Sequence, residues 1–214
     1  MVRGLRKRVF GLSSLKRFVY LISPNKIEKN FYGKLDKVLS FKNVKYFQLR
    51  LKNTKKNYLL KEANKIRKIT RKHQVKFILN DNFFLIDKIK ADGCHMGQLD
   101  GSFTKARKKL KNKIFGITCH NSKILVKKAL KFKADYIALG SFFKSKLKPN
   151  AKKAKISILK WAKKEIKKPI VVIGGINNYN YKKLINSGAN YIAISSFIWD
   201  NPNLKPEKAI EKFK

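Results

Sequence analysis

The sequence predicts an α/β protein with one domain, a closed (β/α)8 TIM barrel. Three observations predict it. Short apolar runs alternate with stretches of helical apolar spacing, and eight such pairs fit into about 200 residues. The strand runs are apolar at nearly every position, as expected of parallel strands covered on both faces. Polar residues recur just past those runs, on the rim where a barrel carries its chemistry. An open doubly wound sheet is the alternative, but no G-x-G-x-x-G follows the first strand. Residues 1–17 read as a basic N-terminal extension and residues 18–214 as the barrel.

Residues 18–22, FVYLI, form the first predicted strand, and Pro24 ends it because proline lacks a backbone donor. Helical spacing follows over 27–39. The second strand is 44–49. Leu59, Leu60, Ala63, Ile66 and Ile69 then recur at helical spacing within 55–72. The third strand is 76–79 with a helix over 83–90. The fourth is 93–96 with a helix over 103–110, and the fifth is 114–118 with a helix over 122–132. Residues 136–139 are the sixth strand, closed by Gly140. A loop rich in Lys and Ser runs to Ala151, before a helix over 156–166. Pro169 opens the seventh strand, 170–173, which ends in Gly174 and Gly175. Gly188 caps a helix over 178–187. The eighth strand is 191–194, and a helix over 206–213 closes the chain.

Lysine and arginine number 53 against 12 acidic residues, a formal net charge of +41. Such a charge suits a nucleic-acid-associated protein, because cations neutralise phosphates and release counterions. Two features favour a solvated lysine surface without specific nucleic-acid binding. The basic residues are spread along the whole chain, and most are Lys, whereas specific contacts lean on the Arg fork. The two cysteines, Cys94 and Cys119, fall in predicted strands and read as buried thiols. No run approaches the ~18 apolar residues of a membrane span, and the first apolar run is too short for a signal peptide core. The expectation is a cytoplasmic protein without a membrane partner. The sequence leaves its oligomeric state open.

The most informative stretch is 78–100. Asn80 and Asp81 follow the third strand, and Gln98 and Asp100 follow the fourth. Two carboxylates at successive strand ends have two readings. They cap the following helices, or they hold a hard cation, which takes oxygen ligands and substrate phosphates. Taken alone, the stretch favours capping. Across the rim, the second strand delivers Gln48, Arg50 and Lys52, and the fifth delivers Thr118 and His120. Gly174 and Gly175 follow the seventh strand, and Ser195 and Ser196 the eighth. Those last two loops are where barrels often bind phosphate, although glycines also serve tight turns. Arg50 and Lys52 beside two Asp imply a highly charged anion bridged by a divalent cation. One phosphate site and one Mg²⁺–diphosphate site suggest an enzyme that joins two small phosphorylated molecules.

These motifs resemble those of the thiamine phosphate synthase family, from about Phe18 to the C-terminal helix. Gln48, Leu49, Arg50, Leu51 and Lys52 resemble its Q-L-R-x-K, which holds a pyrimidine diphosphate. Asn80 and Asp81 resemble the start of N-D-R, where Asn contacts diphosphate and Asp binds Mg²⁺. Residues 92–100, DGCHMGQLD, resemble D-G-x-H-x-G-Q-x-D, whose last Asp, here Asp100, is the second Mg²⁺ ligand. Residues 116–120 resemble G-x-S-x-H, with Thr118 in place of the pyrimidine-contacting Ser. Residues 140–151 resemble the thiazole-phosphate loop, with Ser145, Lys146 and Leu147 at substrate-binding positions and Lys148 matching a diphosphate-binding Lys. Gly175, Ser195 and Ser196 match the remaining thiazole-phosphate positions.

The resemblance implies an Mg²⁺-dependent transferase that makes thiamine phosphate, with Arg50, Lys52, Thr118 and Lys148 as catalytic residues. Small phosphorylated pyrimidine and thiazole substrates are the implied partners. Asn82 departs from the family Arg, Leu147 and Ser145 from its two Thr, and Lys144 and Lys146 appear where prolines and other residues are usual. The related thiazole tautomerases lack the metal and diphosphate residues and move protons with a His at the position of His120. That base role is the alternative here, beside an altered family member that only binds a phosphorylated ligand. A rim His bonded to a neighbouring loop is the simpler reading of His120, and His95 reads as a packed residue.

Overall fold

Each strand has apolar side chains on both of its faces, so it is stable only if both faces are covered. The computed structural model describes residues 18–144 and 153–214 and meets that requirement by closure. The strands are β1 (Val19–Ile22), β2 (Val44–Leu49), β3 (Lys76–Asn80), β4 (Gly93–Met96), β5 (Ile114–His120), β6 (Tyr136–Gly140), β7 (Ile170–Ile173) and β8 (Tyr191–Ile194). All pair in parallel in chain order, and β1 pairs with β8 to close the barrel. The predicted TIM barrel is the observed fold.

The helices are α1 (Phe31–Leu39), α2 (Lys56–Lys72), α3 (Ile86–Ile89), α4 (Phe103–Leu110), α5 (Lys123–Lys131), α6 (Ile156–Glu165), α7 (Tyr181–Asn186), α8 (Ser196–Trp199) and α9 (Pro206–Ile210). The helix expected over 83–90 is a 3₁₀ turn, Phe83–Leu85, running into α3. The short α8 directly after β8 was not expected. Four residues are too few to show a 3.6-residue period. Among the described residues no helix is long and apolar enough to cross a membrane. The basic extension 1–17 and the loop residues Ser145, Lys146, Leu147 and Lys148 lie outside the described residues.

Alternation along the strands sorts the core into two parts. Val19, Leu21, Phe47, Leu49, Ile137 and Leu139 share a large cluster with helix residues such as Leu35 and Ile66. Tyr20, Ile22, Ile78, Tyr136, Ala138, Val171 and Ala193 form a second cluster inside the barrel. Gly116 completes that interior. A Cβ there would collide with the Tyr136 ring, so glycine is needed for the space it leaves. At the base, where the strands begin, three polar side chains bind the strand next door. Asp92 Oδ2 accepts from Phe77 N at 2.9 Å, Asp135 Oδ2 from Phe115 N at 2.8 Å, and Asn190 Oδ1 from Ile170 N at 2.9 Å.

Candidate active site at the barrel mouth

The strands' C-terminal ends surround a cavity of about 930 Å³. Alternation on β2 and the residues beyond it decides what reaches it. Gln48, Arg50 and Lys52 line the cavity. Leu49 and Leu51 instead turn outward and are buried with the helices, at 0% and 7% exposure. Their expected place among the substrate-binding residues is therefore corrected for the side chains, which cannot reach a ligand in the mouth. β3 brings Asn80 and Asp81, and the loop after β4 brings Asp100. Thr118 and His120 come from β5, Gly175 from the loop after β7, and Ser195 and Ser196 from the end of β8.

Three charged side chains from three successive loops meet here. Lys52 Nζ lies 3.5 Å from Asp81 Oδ2 and 3.7 Å from Asp100 Oδ1. Capping fails as an explanation for either carboxylate. Ser102 caps α4, its side chain accepting from Lys105 N, and Asn82 holds the cap position of the 3₁₀ turn. Asp81 has φ +64°, a left-handed conformation that Asp tolerates better than most residues, and its N–H donates to His95 O at 2.8 Å. Asp100 Oδ2 accepts from Gly97 N at 2.7 Å, and a Cβ at Gly97 would come within 2.5 Å of that oxygen.

The two carboxylates titrate together. Burial, followed by the hydrogen bond and charge of Asp100, pushes Asp81 up to about 6. Burial also works upward on Asp100, but hydrogen bonds from Asp81 and the Gly97 N–H and the charge of Lys52 outweigh it and hold it low. Of the pair, Asp81 therefore takes up a proton first as pH falls, while Lys52 balances part of the charge of both. Among the described residues no group of three or more His, Cys, Asp or Glu could hold a metal by itself. Two adjacent carboxylates suit a hard cation that takes its other ligands from water and substrate phosphates.

The cavity floor is polar and connected. Gln48 Nε2 donates to Tyr20 Oη at 3.0 Å, and Tyr20 Oη lies 2.8 Å from Tyr136 Oη. Tyr136 Oη lies 2.9 Å from His95 Nδ1, and His95 Nε2 lies 2.8 Å from Thr118 Oγ1. The His95 ring stacks on Tyr136 at 5.6 Å, and burial lowers its pKa to about 4, so the imidazole is neutral near pH 7. His95 is packed, as expected, and it also lines the cavity.

On the opposite wall, Gly174 and Gly175 have φ of +109° and +59°. A Cβ on Gly174 would collide with Ser141, and one on Gly175 with the Lys144 carbonyl, so both turns require glycine. Backbone N–H groups at turns of this kind suit an anion, and Gly175 and Ser196 both line the cavity. Ser195 Oγ donates to Ser23 O at 3.1 Å. His120 stands exposed at the rim with φ +50°. Asn82, where the resembled motif has Arg, turns its amide back to Asn80 O at 3.2 Å.

Sequence reasoning missed several lining residues. Ser23 and Asn25 follow β1 and hold Arg50: Arg50 N donates to Ser23 Oγ at 2.9 Å, and its Nη1 to Asn25 Oδ1 at 3.4 Å. Their position just past a strand was the available signal. Lys153 also lines the cavity, but one lysine among so many carries no signal.

Residues 19–198 match the family model described as thiamine monophosphate synthase. A thiamine-phosphate synthase of Pelagibacter ubique (strain HTCC1062) is 52% identical over 200 residues, which are 93% of this chain and 97% of that one. Another, of Erythrobacter litoralis (strain HTCC2594), is 37% identical over 186 residues, 85% of this chain and 87% of that one. The solved thiamine phosphate pyrophosphorylase from Pyrococcus furiosus superposes with a TM-score of 0.81 at 25% identity, covering 93% of this chain and 94% of that one. On sequence and fold together, the chain belongs to the thiamine monophosphate synthase family.

Proposed function

We propose that this chain is an Mg²⁺-dependent transferase of thiamine biosynthesis. It condenses 4-amino-2-methyl-5-(diphosphooxymethyl)pyrimidine with thiazole phosphate, giving thiamine phosphate and diphosphate. The observation that carries this reading is the meeting of Lys52 with Asp81 and Asp100 in the mouth. A tautomerase has no diphosphate to hold and no use for that trio.

Arg50 and Lys52 bind the diphosphate, and Asn80 adds an amide from the next strand end. Asp81 and Asp100 would hold Mg²⁺, which supplies charge neutralisation to the diphosphate. The N–H groups of Gly175 and Ser196 receive the thiazole phosphate across the cavity. The bond between the pyrimidine methylene carbon and the diphosphate oxygen breaks, and its electron pair leaves with diphosphate. The thiazole nitrogen then gives its lone pair to that carbon. The protein's work is to orient two reactants and to stabilise charge as it develops on the leaving group. No side chain becomes covalently bound, so none need be a nucleophile.

The test is to incubate the protein with both substrates and Mg²⁺ and to measure thiamine phosphate and diphosphate. Both products are expected in equal amounts, with none after chelation by EDTA. Absence of product overturns the synthase reading, and undiminished product in EDTA overturns the metal assignment.

A further inference from the structure

The floor chain has one sense in which every buried hydroxyl donates once. Gln48 Nε2 can only donate, so Tyr20 Oη accepts from it at 3.0 Å. Tyr20 is 1% exposed, and a buried hydroxyl left unpaired is costly. Its proton has Tyr136 Oη within reach at 2.8 Å. The Tyr136 hydroxyl, also buried, then turns to His95 Nδ1 at 2.9 Å. A ring nitrogen that accepts carries no proton, so a neutral His95 holds its proton on Nε2. That N–H points at Thr118 Oγ1, 2.8 Å away. The Thr118 carbonyl is engaged by Gln98 Nε2. Its hydroxyl proton is left without an acceptor among the described residues, and Thr118 lines the cavity.

We propose that Gln48, Tyr20 and Tyr136 lock His95 as the Nε2–H tautomer, so that Thr118 must donate its hydroxyl proton into the cavity. Tyr20 and Tyr136 are then positioning residues, acting on the ligand through His95 and Thr118. A group placed over Thr118 must present a lone pair. Resting on the proposed pyrimidine substrate, this selects an aromatic ring nitrogen at that position and disfavours its amino or methyl substituents. The substrate's orientation in the mouth is thereby set from the floor.

The tautomer can be read without substrate, so this inference and the synthase reading fail separately. The chain has only three histidines, and in protein labelled with ¹⁵N-histidine the His95 signals are those lost in His95→Gln. The expected spectrum shows a protonated Nε2 and an unprotonated Nδ1. The opposite tautomer, with the proton on Nδ1, overturns the proposal whatever the variants do. Tyr136→Phe is expected to remove the bias between tautomers. It is also expected to raise the KM for the pyrimidine diphosphate about tenfold, the size of one hydrogen bond, with the KM for thiazole phosphate unchanged. Thr118→Val is expected to raise the same KM, and Thr118→Ser to keep it near the starting value. Equal rises in both KM values for Tyr136→Phe, or no rise for Thr118→Val, would overturn the donor role.

Discussion

The two ends of this barrel use their few carboxylates in opposite ways. At the base, Asp92 and Asp135 each accept a backbone N–H from the neighbouring strand and pair with a cation, Lys76 at 3.1 Å and Arg107 at 3.0 Å. Their charge is spent on structure. At the mouth, Asp81 and Asp100 share Lys52 and crowd each other, and the cost shows in the raised pKa of Asp81. An arrangement that disfavours its own ionised form persists where a ligand repays it. Being acidic in a basic chain therefore did not identify function. What sets Asp81 and Asp100 apart from Asp92 and Asp135 is their place at the C-terminal ends of strands.

The sharpest break of this comparison is at the mouth. Lys52→Met is expected to lower kcat about 10²–10³-fold, as for loss of a group that stabilises developing charge. Steady-state assays with circular dichroism as a check on folding will show it. A smaller but opposite pattern is expected at the base. Asp135→Ala strands the Phe115 N–H and removes the carboxylate partner of Arg107, which keeps its backbone carbonyl acceptors, and should cost about 1–3 kcal/mol of stability. Thermal unfolding should then shift by about 2–4 °C per kcal/mol in a protein of this size, with kcat/KM unchanged.

Gly116→Ala sharpens the comparison from the middle. The added methyl must displace the Tyr136 ring, and overpacking of this kind costs about 1–3 kcal/mol. Unlike Asp135→Ala, it is expected to raise the pyrimidine diphosphate KM as well, because it disturbs the floor.

The smallest effect is a pH dependence. Asp81 is pushed up to about 6, whereas an unfolded Asp titrates at about 4. Between those values the folded protein keeps a proton that the unfolded chain has lost, so this group's contribution to stability falls as pH rises from about 4 to about 6. Asp81→Asn is expected to flatten that fall, measured by urea midpoints across the range without added divalent cation.

Much of this was legible in the sequence because strands follow a period of two. The same period that buries Phe47 and Leu49 delivers Gln48, Arg50 and Lys52 to one mouth. Placing Leu49 and Leu51 with the ligand ignored that period, since the resembled motif is contiguous and a strand's side chains are not. The choice between capping and ligation was illegible at Asp81 and Asp100 because both roles occupy the residues just past a strand. Backbone conformation at Asp81 and the true cap at Ser102 remove the capping reading. Tyr20 and Tyr136 were legible as core, but not as hydrogen-bonded partners. The two residues lie 116 positions apart, and only closure of the barrel brings them together.

The clasps at the base have a consequence for how the barrel comes apart. Asp92 ties β3 to β4, Asp135 ties β5 to β6, and Asn190 ties β7 to β8, while the Asn43 carbonyl takes the N–H groups of Phe18 and Val19 between β1 and β2. The ring is thus hooped in quarters, each made of two staves sewn at the foot. Among the described residues no Asp or Asn side chain takes a strand's N–H across the seams between quarters, and hydrogen exchange is expected to find those seams parting first.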